Sequence, residues 1–134
     1  MPINQKQAQE IIEKEYGISS SYFLDISRLE PHKNVDNLIK ANIITRQKYN
    51  ISQKLVIVGN KVFGYERILA LAQHSPYSND IYFIDYVKSE HLNALYSAAE
   101  AFIYPSLNEG FGLPLVEAMA SGTPIVTSNI TAIP

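Results

Sequence analysis

The chain has 134 residues, of which 46% are hydrophobic and 18% are charged, and its formal net charge at pH 7 is -2. This length corresponds to one domain, and the composition is that of a chain that buries a core rather than one that stays disordered. A dedicated nucleic-acid binder would show a strong basic excess, which this sequence lacks. The absence of cysteine excludes a disulfide scaffold, a zinc-thiolate site and a thiol nucleophile.

The sequence contains no candidate transmembrane segment, because no apolar run approaches the roughly 18 residues that a membrane-spanning helix needs. The start of the chain also lacks the basic and apolar regions of a signal peptide. Both observations predict a cytoplasmic protein.

Hydrophobic spacing divides the chain into alternating helices and strands. The first two elements are an amphipathic helix over residues 4–16, ended by Gly17, and a strand over residues 22–26. The later elements, in chain order, are a helix from residue 35 with Asn34 as its N-cap, a strand over 55–58, a helix over 65–73, a strand over 81–84, a helix capped by Ser89, a strand over 101–104, a short helix between Pro114 and Gly122, and a strand over 124–127.

This alternation predicts an α/β fold, a Rossmann-like doubly wound parallel sheet with helices on both faces. Residues 1–134 form one domain in this interpretation. The chain stops just after a strand, without a closing helix, which predicts a truncated fragment of a longer protein. Ligands of such sheets bind beyond the carboxyl ends of the strands, so the loops after each strand are the candidate sites.

The loop between the fourth strand and the last helix has the most informative residues. Gly110 and Gly112 flank Phe111, and glycines let the backbone approach a ligand closely. The helix start that follows favours an anion such as phosphate. Glu109 and Glu117 bracket this turn and could accept hydrogen bonds from hydroxyl groups. The same residues also fit a tight turn with acidic side chains near a helix N-terminus, so spacing alone leaves both interpretations open.

The segment that begins at Pro105 reads P-S-L-N-E-G-F-G-L-P-L-V-E-A-M-A-S-G-T-P-I-V-T-S-N, and it resembles the E-x7-E signature of the retaining glycosyltransferases of family 4, which have the GT-B fold. Upstream, residues 27–34 resemble the R-x4-K segment of that family, and the resemblance covers residues 16–134. In that family this region is the carboxyl-terminal, donor-binding half of a two-domain enzyme.

The resemblance implies a nucleotide diphosphate sugar as the donor substrate, with no other cofactor and no metal ion. Arg28 and Lys33 would contact the diphosphate, where fixed cations stabilise the charge that develops on the leaving group. Glu109 would hold hydroxyls of the donor sugar, and these three residues are the candidate catalytic residues. The implied donor-binding residues are Glu117 at the ribose hydroxyls, the backbone of Gly110, Phe111, Gly112 and Leu113 around the sugar and phosphates, Gly59 beside the nucleotide and Val87 near the nucleobase.

The resemblance also has implications for the reaction. Family members keep the anomeric configuration without a clear protein nucleophile, and the leaving phosphate takes the acceptor proton. Residues 27–31 and 127–129 resemble those of mannosyltransferases, which favours GDP-mannose as the donor. The acceptor would be a hydroxyl of a glycan or lipid-linked glycan, bound mainly by an N-terminal domain that this chain lacks. The full-length enzyme would be cytoplasmic or peripheral to a membrane, and this chain alone would be inactive.

Two alternative functions stay open at this point. A non-catalytic nucleotide-sugar-binding or regulatory module would share the fold and the donor loops, and an upstream acceptor-side lobe in the gene would argue against it. A receiver-type signalling domain would need an acidic cluster at the first strand end, whereas Asp25 and Asp85 are isolated in the sequence. Asp85 and Asn108 depart from residues that are common in the glycosyltransferase family.

Overall fold

The computed structural model describes residues 4–19, 21–26, 35–59, 65–104 and 113–127, which form a parallel sheet with helices on both faces. A 3₁₀ turn over Ser78–Asp80 precedes the third strand. Within these ranges, no helix combines the length and the apolar character needed to cross a membrane. The elements, in chain order, are α1 (Gln5–Tyr16), β1 (Tyr22–Ile26), α2 (Val35–Tyr49), β2 (Lys54–Val58), α3 (Tyr65–Gln73), β3 (Ile81–Ile84), α4 (Ser89–Ala98), β4 (Ala101–Tyr104), α5 (Leu113–Ala120) and β5 (Ile125–Thr127).

The strand order is β3-β2-β1-β4-β5, and every neighbouring pair is parallel. From β1 the chain winds outward through β2 to β3, and it then returns to place β4 on the other side of β1. The winding direction therefore reverses between β1 and β4. In sheets of this kind, ligands bind outside the carboxyl ends of the strands at this switch point.

The two faces of the sheet have separate cores, because successive side chains of a strand point to opposite faces. Helices α1 and α4 pack together over the first face, and α2 and α3 cover the second. The buried residues of the first face include Tyr22, Leu24, Val56, Val58, Phe102 and Tyr104, together with Ala118 of α5, and those of the second include Leu55 and Ile57. The doubly wound arrangement predicted from the sequence is confirmed.

Helix ends agree with the sequence at α1 and differ from it at α4. The Asn4 Oδ1 atom accepts hydrogen bonds from the Lys6 and Gln7 backbone N–H groups at 2.8 and 3.3 Å, and Gly17 ends α1 with a φ of 74°. The prediction that Ser89 caps α4 is wrong. The backbone is already helical at Ser89, and Lys88, with a ψ of 141°, holds the cap position without a side-chain hydrogen bond. Asn34, the predicted cap of α2, lies outside the described residues.

Candidate functional site

The two loops with most of the predicted site residues leave the sheet at adjacent strand ends. Strands β1 and β4 pair directly, so the loop after Ile26 and the loop after Tyr104 start at the same edge. The loop residues themselves, 27–34 and 105–112, lie outside the described part of the chain. Six predicted site residues are therefore not described and stay predictions: Arg28, Lys33, Glu109, Gly110, Phe111 and Gly112. Leu113 is the first residue of α5.

Glu117 is the predicted site residue with the best defined contact. It lies on α5, its side chain is exposed, and its Oε1 atom accepts a hydrogen bond of 3.0 Å from the Tyr96 hydroxyl. Tyr96 lies on α4, so this bond joins two helices that follow different strands. One oxygen of the Glu117 carboxylate thus has a defined protein donor.

Tyr96 is held firmly in the core of the first face. Its ring meets the Phe102 ring edge-on, with 5.4 Å between the ring centroids, and Phe102 in turn stacks on Tyr104 at 5.7 Å. The Tyr96 backbone carbonyl accepts a 2.7 Å hydrogen bond from the Thr123 hydroxyl. Because side chains of a helix lean toward its N-terminus, the Tyr96 hydroxyl extends toward the carboxyl edge of the sheet.

The electrostatic surroundings keep the Tyr96 hydroxyl protonated. Burial raises the pKa of Tyr96 far above its usual value, and the charge of Glu117 and the hydrogen bond to it raise this pKa further. Smaller effects in the same direction come from Tyr104 and from Asp25, a fully buried carboxyl near the end of β1. Tyr96 is therefore a hydrogen-bond donor to Glu117 throughout the neutral pH range.

Gly59 directly follows β2, and Val87 lies three residues beyond the end of the neighbouring strand β3. The Gly59 N–H group donates to the Ile84 carbonyl at 3.0 Å, which continues the pairing of the two strands by one residue. The Val87 side chain is buried in the core of the first face. Only its backbone groups are thus left for a ligand, whereas the neighbouring Tyr86 side chain is 72% exposed.

A tyrosine of α1 anchors the segment that contains Val87. The Tyr16 hydroxyl accepts a 3.2 Å hydrogen bond from the Lys88 backbone N–H, and it lies 2.8 Å from Nδ1 of His91. The Tyr16 and His91 rings also meet edge-on, with 5.5 Å between their centroids. The segment between β3 and α4 is thus tied to a helix far away in the sequence.

The sequence interpretation missed the roles of Tyr16 and Tyr96, because both occupy inward positions of amphipathic helices that are typical of core packing. The sequence offered one indication of these roles. A buried tyrosine normally finds a partner for its hydroxyl group. The identity of that partner depends on which helices become neighbours, which helical spacing does not indicate.

The described residues contain no group of three or more His, Asp or Glu side chains that could hold a metal ion. That the protein needs no metal ion for its function stays a prediction. Asp25 and Asp85, the acidic residues considered for a receiver domain, lie at the ends of β1 and β3, and β2 separates these strands.

The family model described as "Glycosyl transferases group 1" matches residues 8–134. O-antigen chain mannosyltransferase B of Escherichia coli is 36% identical over 113 residues, which are 84% of this chain and 30% of that protein. The chain thus spans about 30% of the length of this curated relative.

Solved structures of glycosyltransferases are similar to the chain in fold. The C-terminal domain of the glycosyl transferase group 1 family protein LpcC from Francisella tularensis superposes with a TM-score of 0.77 at 27% identity, over 99% of this chain and 69% of that one. Anabaena HepE in complex with UDP and glucose gives a TM-score of 0.77 at 20% identity, over 97% of this chain and 37% of that one.

Proposed function

Because the chain belongs to the glycosyl transferases of group 1, we propose that it is the donor-binding half of a retaining, family 4 enzyme that transfers a sugar from a nucleotide diphosphate sugar to a hydroxyl acceptor. Its structural neighbours are GT-B glycosyltransferases. The observation that supports the proposal most is the direct pairing of β1 with β4, because it starts the loops of Arg28 and Glu109 at one edge of the sheet.

The proposed roles divide the donor into three parts. Arg28 and Lys33 contact the diphosphate and stabilise the negative charge that grows on it as the glycosidic bond breaks. Glu109 accepts hydrogen bonds from hydroxyls of the sugar, and Glu117 accepts them from the ribose. The backbone between Gly110 and Leu113 lines the space between sugar and phosphates. The leaving phosphate then takes the proton of the acceptor hydroxyl.

A mannosyl donor such as GDP-mannose is the first candidate. The O-antigen chain mannosyltransferase of Escherichia coli is 36% identical to the chain and supports this choice. HepE has been solved with UDP and glucose, so UDP-sugars belong in the same test. The acceptor, a glycan or lipid-linked glycan, would bind mainly to a second lobe, which agrees with a chain that spans about 30% of its relative.

Calorimetric titration of the chain with GDP-mannose, UDP-glucose and ADP-glucose, and with the three nucleoside diphosphates, tests this proposal. We expect binding of one nucleotide family, with both its diphosphate and its sugar form bound. If none of the six ligands binds at millimolar concentration, the proposed function is wrong.

The same titration of the Glu117→Gln variant tests the ribose role, and its control is a substitution at the opposite end of the sheet. Glu10 is exposed on α1 and lines a groove together with Ser21, next to the amino end of β1. Glu10→Gln removes one negative charge, as Glu117→Gln does. We expect it to leave nucleotide binding unchanged, because ligands of such sheets bind at the carboxyl edge.

A further inference from the structure

We propose that Tyr96 is a positioning residue for Glu117. Its hydroxyl holds Oε1 of the carboxylate at 3.0 Å, which leaves Oε2 to accept a hydrogen bond from a ribose hydroxyl of the donor. The inference rests on the proposed function, in which Glu117 binds the ribose. Tyr96 itself does not touch the substrate in this arrangement.

The donor and the acceptor of this hydrogen bond differ in burial. The Tyr96 side chain is buried, with 1% of the residue exposed, and its ring contacts the Phe102 ring. Its backbone is fixed as well, because the carbonyl accepts a hydrogen bond from the Thr123 hydroxyl. Glu117 is exposed on the surface of α5. An immobile donor therefore faces a side chain that would otherwise change rotamers freely.

Ordering the Glu117 side chain costs conformational free energy. A glutamate that becomes ordered only when a ligand binds loses rotamer freedom at that moment, and this loss weakens affinity. A carboxylate that is already hydrogen-bonded to a rigid donor has lost most of this freedom before the ligand arrives. The two oxygens of a carboxylate can accept several hydrogen bonds, so the bond from Tyr96 does not prevent a second one from the ligand.

The donor of this hydrogen bond stays protonated. The pKa of Tyr96 is raised by burial and by the neighbouring Glu117 charge, so the hydroxyl keeps its proton at any pH at which the protein would act. An ionised carboxylate can only accept hydrogen bonds. The direction of the bond is therefore defined: the Tyr96 hydroxyl donates, and the Glu117 carboxylate accepts.

The test measures recognition of the ribose rather than affinity in general. The 134-residue chain and its Tyr96→Phe variant are titrated with GDP and with 2′,3′-dideoxy-GDP, which lacks both ribose hydroxyls, and the same pair of uridine nucleotides is used in parallel. We expect Tyr96→Phe to weaken binding of the ribonucleotide by roughly three- to tenfold, with little change for the dideoxynucleotide. The preference for ribose would fall accordingly.

Tyr22→Phe is the matched control. Tyr22 is also buried in the first face, and its hydroxyl donates to the Leu95 backbone carbonyl at 2.6 Å. The substitution thus removes a hydroxyl with similar surroundings that does not reach Glu117. In this variant we expect the ratio of the affinity for the ribonucleotide to the affinity for the dideoxynucleotide to stay at its original value.

A double-mutant cycle with Glu117→Ala separates positioning from a general structural effect. In the Glu117→Ala background, Tyr96→Phe should cause no further change in the preference for ribose. An equal loss for both nucleotides in Tyr96→Phe, or the same change with and without Glu117, overturns the inference while leaving the proposed function in place.

A second measurement does not require Tyr96→Phe to fold. We expect the proton of the Tyr96 hydroxyl to give an NMR signal that shifts in Glu117→Ala, and a signal that does not shift overturns the inference. If the unsubstituted chain binds none of the three nucleoside diphosphates and none of their nucleotide sugars, the proposed function is wrong, and the ribose role of this pair is wrong with it.

Discussion

Leu24 of β1 pairs with Phe102 of β4 in parallel register, although the two residues are far apart in the chain. This contact creates the switch point of the sheet, because β2 and β3 lie on one side of β1, and β4 and β5 on the other. It also brings the starts of the loops after residues 26 and 104 to the same edge. The assignment of one donor site to both loops depends on this pairing.

Substitutions of the two glutamates of the E-x7-E segment should weaken the binding of different ligands. Glu117→Gln is expected to weaken the nucleoside diphosphate and the nucleotide sugar alike, since both contain the ribose. Glu109→Gln is expected to weaken only the nucleotide sugar, since only that ligand contains the hexose. Each loss should be about 1.5–3 kcal/mol, or roughly ten- to a hundredfold in affinity measured by calorimetry. Equal losses for both ligands in both variants would refute this division of roles.

The chain by itself should bind the donor without transferring the sugar. In the proposed enzyme the acceptor is held and water is excluded by a second lobe, and neither can happen on an open half-site. An assay with radiolabelled GDP-mannose and glycan acceptors checks this, with hydrolysis of the donor measured in parallel. Sugar transfer by the 134 residues alone would contradict the half-site interpretation.

The stability of the protein should fall above about pH 10, partly because of Tyr22. Burial raises the pKa of Tyr22 well above its usual value, so the folded chain keeps this proton at a pH at which the unfolded chain releases it. This stabilising effect is complete below about pH 10 and decreases by about 1.4 kcal/mol for each pH unit above it.

Tyr22→Phe measures this effect directly in urea unfolding at pH 9 and at pH 11. At pH 9 we expect the variant to be about 1 kcal/mol less stable, because the hydrogen bond to Leu95 is lost. At pH 11 this difference should vanish or change sign. Tyr49→Phe is the control, since Tyr49 is 63% exposed, and an equal pH dependence in both variants would contradict the explanation.

Two arginine–aspartate pairs should differ in their contribution to stability. Arg46 lies 2.9 Å from Asp80 with only 10% of its side chain exposed, and its guanidinium stands 4.5 Å from the centre of the Tyr77 ring. Arg67 lies 3.3 Å from Asp36 with 68% of its side chain exposed.

We therefore expect Arg46→Ala to lower the free energy of unfolding by about 1–3 kcal/mol, since it removes an ion pair, a cation–π contact and buried packing. Arg67→Ala should cost less than about 1 kcal/mol, because water screens an exposed pair. Urea denaturation of both variants, with and without added salt, provides the comparison. A larger loss for Arg67→Ala would show that burial does not decide the difference.

The elements of this protein were predictable from local sequence patterns. The apolar runs that contain Leu24, Val56 and Phe102 have the length and composition of buried strands, and the spacing between apolar residues indicated the helices between them. The C-terminal end of α1 was also predictable, since glycine at position 17 adopts a positive φ without strain. The end of α2 at Tyr49 was not predictable from the sequence, because its last turn has no apolar periodicity that separates it from the loop.

The tertiary structure decided the strand order and the partners of the polar side chains. Nothing in the residues around Leu24 identifies Phe102 as its neighbour, since the pairing of β1 with β4 joins distant parts of the chain. For the same reason, the sequence predicted Glu117 as a site residue but not the hydroxyl of Tyr96 beside it. Local periodicity determines which face of a helix is buried, whereas the packing of α4 against the segment from α5 to β5 determines which atoms meet there.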